Sequence, residues 1–185
     1  MVVTITYFVH GSTYDNDANR SSGHFNVELS ILGVQQSIQL RQAVKDKKFD
    51  VVFASDLVRA VKTAEIAFGG MEVPIKTDKR IRECNYGDFN AKPSEIVEPI
   101  QEKSVTNPFP NGESYEMVQK RIREFLDFLV ENFDGKHVAI VAHKAPQLAI
   151  EVITQGKTWE EAFRDDWRKK KAWKPGWDYV YKKTE

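Results

Sequence analysis

The chain has 185 residues, 41% of them apolar, with Lys plus Arg and Asp plus Glu balanced at 27 each for a formal net charge of zero. That length suits one domain covering residues 1–185, and the charge balance removes the basic excess that usually accompanies nucleic-acid binding. The single cysteine, Cys84, forms no internal disulfide, and neither a signal peptide nor a membrane-length apolar stretch is visible, so a soluble cytoplasmic protein is expected.

Val2 to Val9 reads as a first strand ending at His10, followed by a polar loop to Leu29. Ser30 is placed to cap a helix running to about Lys47, with Leu32, Gln36, Leu40 and Val44 at helical spacing. Phe49 to Ala54 is the second strand, Leu57 to Phe68 the next helix, and Val73 to Lys76 a short strand. An irregular excursion from Arg80 to Gly112 follows, with a helical turn near Ser94 to Lys103. Glu113 to Phe133 is the clearest helix: Val118, Ile122, Phe125, Leu126 and Leu129 form its stripe, and Gly135 lies just past its end. A strand from Val138 to Ala142 and a helix from about Ala145 to Thr154 continue the alternation. The remaining segment carries Trp159, Trp167, Trp173 and Trp177, read as a capping helix packed on the core and an edge strand, Trp177 to Tyr181. The basic run Arg168 to Lys171 reads as a solvated helix end. Strands alternating with helices predict an α/β fold, a three-layer sandwich with a mostly parallel central sheet flanked by helices.

In such sheets ligands bind at the carboxyl ends of the strands. His10 and His143 each follow an apolar strand, and Arg59 lies just past a third, so two imidazoles and a guanidinium can converge on an oxyanion such as a phosphoryl group. Gly11 lets the chain approach an anion closely, and Ser12, Thr13 and Asn16 add neutral donors. Ser55 is placed to cap the helix that carries Arg59. A carboxyl in the segment Arg80 to Phe89 can protonate a leaving oxygen; Glu83 and Asp88 compete for that role. Asn19, Arg20 and His24 are weaker candidates in the first loop. No HxH, HExxH or paired-cysteine spacing supports a metal site built from His10, His143, His24 and Asp88, so no metal is expected. Cys84 lacks a nucleophile motif. No Walker-type or Rossmann glycine loop is present, so no nucleotide cofactor is expected.

Taken together, the segments Val9-His10-Gly11-Ser12-Thr13 with Asn16, Leu29-Ser30-Ile31-Leu32-Gly33-Val34-Gln35-Gln36, Ser55-Asp56-Leu57-Val58-Arg59-Ala60-Val61-Lys62-Thr63-Ala64, Glu83 with Tyr86-Gly87-Asp88-Phe89, Asn111-Gly112-Glu113-Ser114 and Ile140-Val141-Ala142-His143 resemble the histidine phosphatase superfamily, the phosphoglycerate-mutase-like fold, from residue 1 to about 155. The resemblance implies a metal-independent phosphomonoesterase for a small phosphorylated metabolite. In it His10 becomes a phosphohistidine, Glu83 is proton donor and then base, and Arg59 and His143 hold the phosphoryl oxygens. Two positions depart from the family pattern. Val9 stands where the family has an arginine before the nucleophile, and Lys144 follows the second histidine where a small residue is usual. Lys144 is expected to replace part of the missing charge. Hydrolysis is expected over mutase activity. A catalytically weak homologue that binds a phosphorylated ligand or protein is the alternative, favoured by Val9. A nucleic-acid module, resting on the aromatic and basic tail alone, ranks last.

Overall fold

The β-branched run at the amino terminus forms β1 (Val2–Val9), and the loop after it contains a short helix α1 (Tyr14–Asp17) and a two-residue strand β2 (Arg20–Ser21). The computed structural model describes residues 1–170 and 174–183, so Lys171 and Trp173 of the tail lie outside the described residues. Next come α2 (Ile31–Val44), β3 (Val51–Ala54), α3 (Val58–Phe68), β4 (Ile75–Thr77), β5 (Lys92–Pro93) and α4 (Ser94–Gln101). The chain then forms α5 (Tyr115–Asn132), β6 (His137–Ala142), α6 (Lys144–Gln155), α7 (Trp159–Asp165) and β7 (Trp177–Lys182).

The main sheet has the order β4-β3-β6-β1-β7. Every pairing in it is parallel except that of β7, which closes the edge antiparallel to β1. Alternation along the strands sorts side chains between two cores. Val138, Ile140 and Ala142 join Val118, Ile122, Phe125, Leu126 and Leu129 of α5 on one face. Ala139 and Val141 join Leu40, Val44, Ala64 and Phe68 from α2 and α3 on the other. Each large buried apolar side chain contributes roughly 1.5–3 kcal/mol, so α5 is held by its packed stripe more than by helix propensity. The result is the expected sandwich of helices around a mostly parallel sheet. Among the described residues no helix is long and apolar enough to cross a membrane.

Several local expectations shift. α2 ends at Val44 rather than Lys47 and buries Gly33, Ser37, Leu40 and Val44, leaving Leu32 49% exposed. Backbone packing causes this change of face. A Cβ on Gly33 would lie 1.9 Å from the Ser12 carbonyl oxygen, so the helix docks there through its smallest residue. The Gln36 amide oxygen then accepts from the Ser12 N–H at 2.7 Å. Ser55 does not cap α3, whose N-cap is Leu57; its hydroxyl instead accepts from the Leu57 N–H at 3.3 Å in the turn before the helix. β3 and β4 begin two residues later than expected. The β2–β5 ribbon is too short for any periodicity to reveal.

Gly33 yields a test. Helix propensity alone would make Gly33→Ala stabilising by about 0.5–1 kcal/mol. The obstacle is backbone, so we expect a net loss of about 1–3 kcal/mol, which is a fall of several degrees in Tm at roughly 2–4 °C per kcal/mol. A thermal melt showing an unchanged or raised Tm would contradict this docking.

Candidate active site

Strand register brings the two histidines together. β1 and β6 pair in parallel with Val9 opposite Ala142, and the His10 N–H donates to the Ala142 carbonyl at 3.1 Å, so residues 10 and 143 leave the sheet side by side. Their ring centroids are 5.0 Å apart. The parallel β3–β6 pairing ends one strand over, with the Ser55 N–H donating to the Val141 carbonyl at 3.0 Å, and this delivers Arg59 on the first turn of α3. A cavity of about 470 Å³ has His10, Arg59, Glu83, His143, Lys144 and Arg168 among its lining residues.

His10 Nδ1 lies 2.7 Å from the Gly11 carbonyl oxygen, a contact satisfied when Nδ1 carries the proton. That tautomer leaves Nε2 with a free lone pair. Burial, and then the Arg59 charge, push the His10 pKa down to about 3 against the opposing Gly11 contact, with Arg168 adding a lesser downward push, so the ring is neutral at neutral pH. Gly11 is fixed in turn: its N–H donates to Thr63 Oγ1 at 3.0 Å, whose hydroxyl donates to the Arg59 carbonyl at 2.8 Å. His143 is 1% exposed, and neither of its ring nitrogens has a hydrogen-bond partner among the described residues. Burial, and then the nearby Arg59, hold its pKa well below the ordinary imidazole value. Tyr7 pins its backbone, the hydroxyl donating to the His143 carbonyl at 2.6 Å and accepting the His143 N–H at 2.9 Å.

Glu83 sits at the amino terminus of α6. Its Oε1 accepts from the N–H groups of Cys84 and Ala145, both at 2.9 Å, and its Oε2 accepts from the Lys144 N–H at 3.2 Å. A carboxylate offers about four lone-pair positions, so the remaining one on Oε2 is where a proton can be carried. Arg121 fixes the strand of backbone around it, donating to the carbonyls of Arg82 at 2.8 Å and Glu83 at 2.9 Å while pairing with Glu113 at 2.9 Å. Asp88 is bound to the Asn111 amide at 3.1 Å and does not line the cavity, so of the two carboxyls expected to compete for the proton-donor role Glu83 is the one on its wall.

The other expected residues divide. Ser12 and Asn16 are on the cavity wall, and Gly11 faces a neighbouring cavity of about 350 Å³ that shares Val9, His10 and Ser12. Thr13 is fully buried; its hydroxyl caps α1 by accepting from the Asn16 N–H at 3.1 Å, and it lines neither cavity. Lys144 is on the wall, with Nζ 2.9 Å from Gln101 Oε1 and 3.5 Å from Asp166 Oδ2. His24 is turned aside, its Nε2 lying 2.8 Å from the Glu83 carbonyl. Burial pushes the Cys84 thiol up and keeps it protonated, which excludes it as a ready nucleophile. Among the described residues no group of three or more His, Cys, Asp or Glu could hold a metal ion. Sequence reasoning misses Arg168, Asp166, Gln101 and Gln147. The one signal, an acid and an aromatic immediately before the basic run, marks Asp166 and Arg168 and says nothing of the two glutamines.

The histidines make a pH prediction. Unfolded imidazoles take up protons below about 6.5, whereas the folded His10 does so only near 3 and His143 lies well below 6.5. The unfolded state therefore binds more protons in that window, and stability falls as pH drops through it. We expect the fall in Tm between pH 7 and pH 4 to be smaller in His143→Asn than in the parent. Equal slopes would contradict a neutral buried imidazole.

Comparison with known proteins places this arrangement. The family model of the Histidine phosphatase superfamily (branch 1) matches residues 7–164. The chain is 31% identical over 136 residues to the uncharacterized phosphatase PhoE of Bacillus subtilis (strain 168), covering 74% of this chain and 69% of that protein. It is 30% identical over 142 residues to the probable phosphoglycerate mutase GpmB of Yersinia pestis (strain Pestoides F), covering 72% of this chain and 66% of that protein. Its structure is similar to Bacillus stearothermophilus YhfR with a TM-score of 0.78 at 25% identity, covering 87% of this chain and 84% of that one.

Proposed function

Because the chain belongs to the histidine phosphatase superfamily, we propose that it is a single-domain enzyme hydrolysing a small phosphate monoester through a phosphohistidine on His10. The observation that carries this reading is the His10–His143 pair, 5.0 Å apart at one cavity, with Nε2 of His10 left free by the Gly11 contact. Attack on phosphorus requires an unprotonated nitrogen, and burial supplies one.

In the first step Nε2 of His10 forms an N–P bond as the ester P–O bond breaks, and Glu83 gives its proton to the departing alkoxide oxygen. The three backbone donors around Glu83 stabilise the carboxylate left behind. In the second step water attacks phosphorus and the N–P bond breaks. Glu83 takes the water's proton, inorganic phosphate leaves, and both groups are restored. Arg59 and an N–H of His143 hold the peripheral oxygens, where charge gathers in the transition state. Fixed cationic side chains supply the positive field, so turnover is expected to survive a chelator. A cavity of about 470 Å³ suits a small metabolite. The buried lone thiol of Cys84 fits a cytoplasmic setting.

Two other readings have a feature behind them. Relatives from Yersinia are named probable phosphoglycerate mutase, but the chain spans 66% of their length, and hydrolysis needs only water as acceptor. Val9 favours a binder of phosphorylated ligands that does not turn them over. Phosphate release from p-nitrophenyl phosphate and a panel of phosphorylated metabolites at mildly acidic pH decides between them. Hydrolysis is expected; none across the panel would leave the binder.

A further inference from the structure

Val9 deprives the phosphoryl site of the guanidinium that the family pattern places beside the nucleophile. The chain carries another from a distant segment. Just past α7, Arg168 lies on the wall of the cavity that also holds His10, Arg59 and His143. Its fork is held by buried partners. One Nη donates to Asp166 Oδ1 at 3.0 Å and the other to Gln147 Oε1 at 3.1 Å, and Asp166 and Gln147 are 2% and 0% exposed. The Arg168 backbone N–H donates to the same Asp166 oxygen at 3.1 Å, closing a tight turn.

Trp167 secures the turn from its other side. Its indole N–H donates to Gln147 Oε1 at 3.1 Å, and its ring stacks on Trp177 of β7 at 4.9 Å and 26°. The guanidinium carbon sits 4.5 Å over the Trp167 ring. A guanidinium has five N–H donors, and the contacts to Asp166 and Gln147 occupy two of them. Lys144, whose position in the sequence suggests the same role, is a point charge drawn toward Gln101 and Asp166. Unlike that ammonium, the Arg168 fork has the planar geometry that grips two phosphoryl oxygens at once. Its charge also reaches the nucleophile, depressing the His10 pKa after burial and Arg59.

We infer that Arg168, brought in by the turn after α7, binds the transferring phosphoryl group in place of the arginine that Val9 lacks. The inference rests on the phosphatase reading above and adds a phosphate ligand to it. Arg168→Gln tests it, because glutamine can keep the contact with Asp166 while losing the charge. The measurements are kcat/KM on p-nitrophenyl phosphate, inhibition by inorganic phosphate, and Tm. Arg168→Gln is expected to lower kcat/KM roughly a hundredfold, the effect of losing one oxyanion donor, and to weaken phosphate inhibition with Tm retained. Val9→Arg combined with Arg168→Gln should recover at least about tenfold of that loss, which a purely structural role for Arg168 would not allow. A single variant within twofold of the parent, one that keeps its phosphate inhibition, or a double variant as slow as the single would each overturn the assignment. If the parent turns over nothing, the phosphatase reading fails by itself. Calorimetric binding of phosphate to parent and Arg168→Gln then decides this inference alone: weaker binding in the variant upholds it and equal binding overturns it.

Discussion

His10→Ala is expected to abolish turnover of phosphate monoesters by about 10⁴-fold or more while the protein stays folded, because removing a covalent nucleophile removes the reaction path itself. The fold tolerates the change for a specific reason. Phe8 and the flanking strand β6 are buried, whereas His10 lies beyond the last paired residue and keeps part of its surface toward the cavity. What the alanine loses is Nε2, together with the Nδ1 contact to Gly11 that oriented it. Phosphate should still bind, since Arg59 and His143 remain. Steady-state hydrolysis with a parallel melt checks this, and residual activity within tenfold of the parent would reject His10 as nucleophile.

Glu83 carries the second large effect, and its size depends on the leaving group. Alkyl phosphates need a proton on the departing oxygen, so Glu83→Gln should slow them by about 10²–10⁴-fold, the range for a lost general acid. A nitrophenolate leaves without one, so phosphorylation by p-nitrophenyl phosphate should be far less affected. The second step is different, because water still needs a base. With that substrate Glu83→Gln should therefore release a burst of nitrophenolate and then turn over slowly, its phosphoenzyme accumulating. Rapid mixing measures the burst. Equal losses for alkyl and nitrophenyl esters, with no burst, would contradict the double duty assigned to Glu83.

Chemistry is legible in this sequence where it sits on a regular element. Both histidines terminate apolar strand-like runs, and parallel pairing of such strands places their ends at one edge, so the residue pattern of β1 and β6 is enough to suggest a shared site. Arg59 follows from the same logic one strand over. The 30% and 31% relatives and the family match over residues 7–164 agree with the resemblance carried by the motifs. Thr13 is ambiguous in sequence, because a threonine beside a turn can either face a ligand or cap a helix, and here Asn16 captures it. The buried face of α2 escapes an apolar pattern because its contact is a glycine against a carbonyl.

Arg168 is hidden for a different reason. A run of basic residues is normally solvated, and what turns this one inward is Gln147, 21 positions away on α6, together with the Asp166 carboxylate. Burial works against that carboxylate's charge, yet Arg168 and Lys144 hold its pKa below the ordinary value. Such a counter-ion becomes visible only once α6, α7 and β7 are packed together. The specificity of the Gly33 docking and the neutrality of His143 belong to the same tertiary level.

A covalent bond between His10 and phosphorus can be trapped during turnover. Parent enzyme, or Glu83→Gln with p-nitrophenyl phosphate, is quenched in alkali within the first turnover, digested, and analysed by mass spectrometry. One phosphoryl group is expected on the peptide containing His10, stable to alkali and lost in acid as a phosphoramidate must be. Phosphate release that proceeds with that peptide unmodified at every time point, or with the label on another residue, would contradict it.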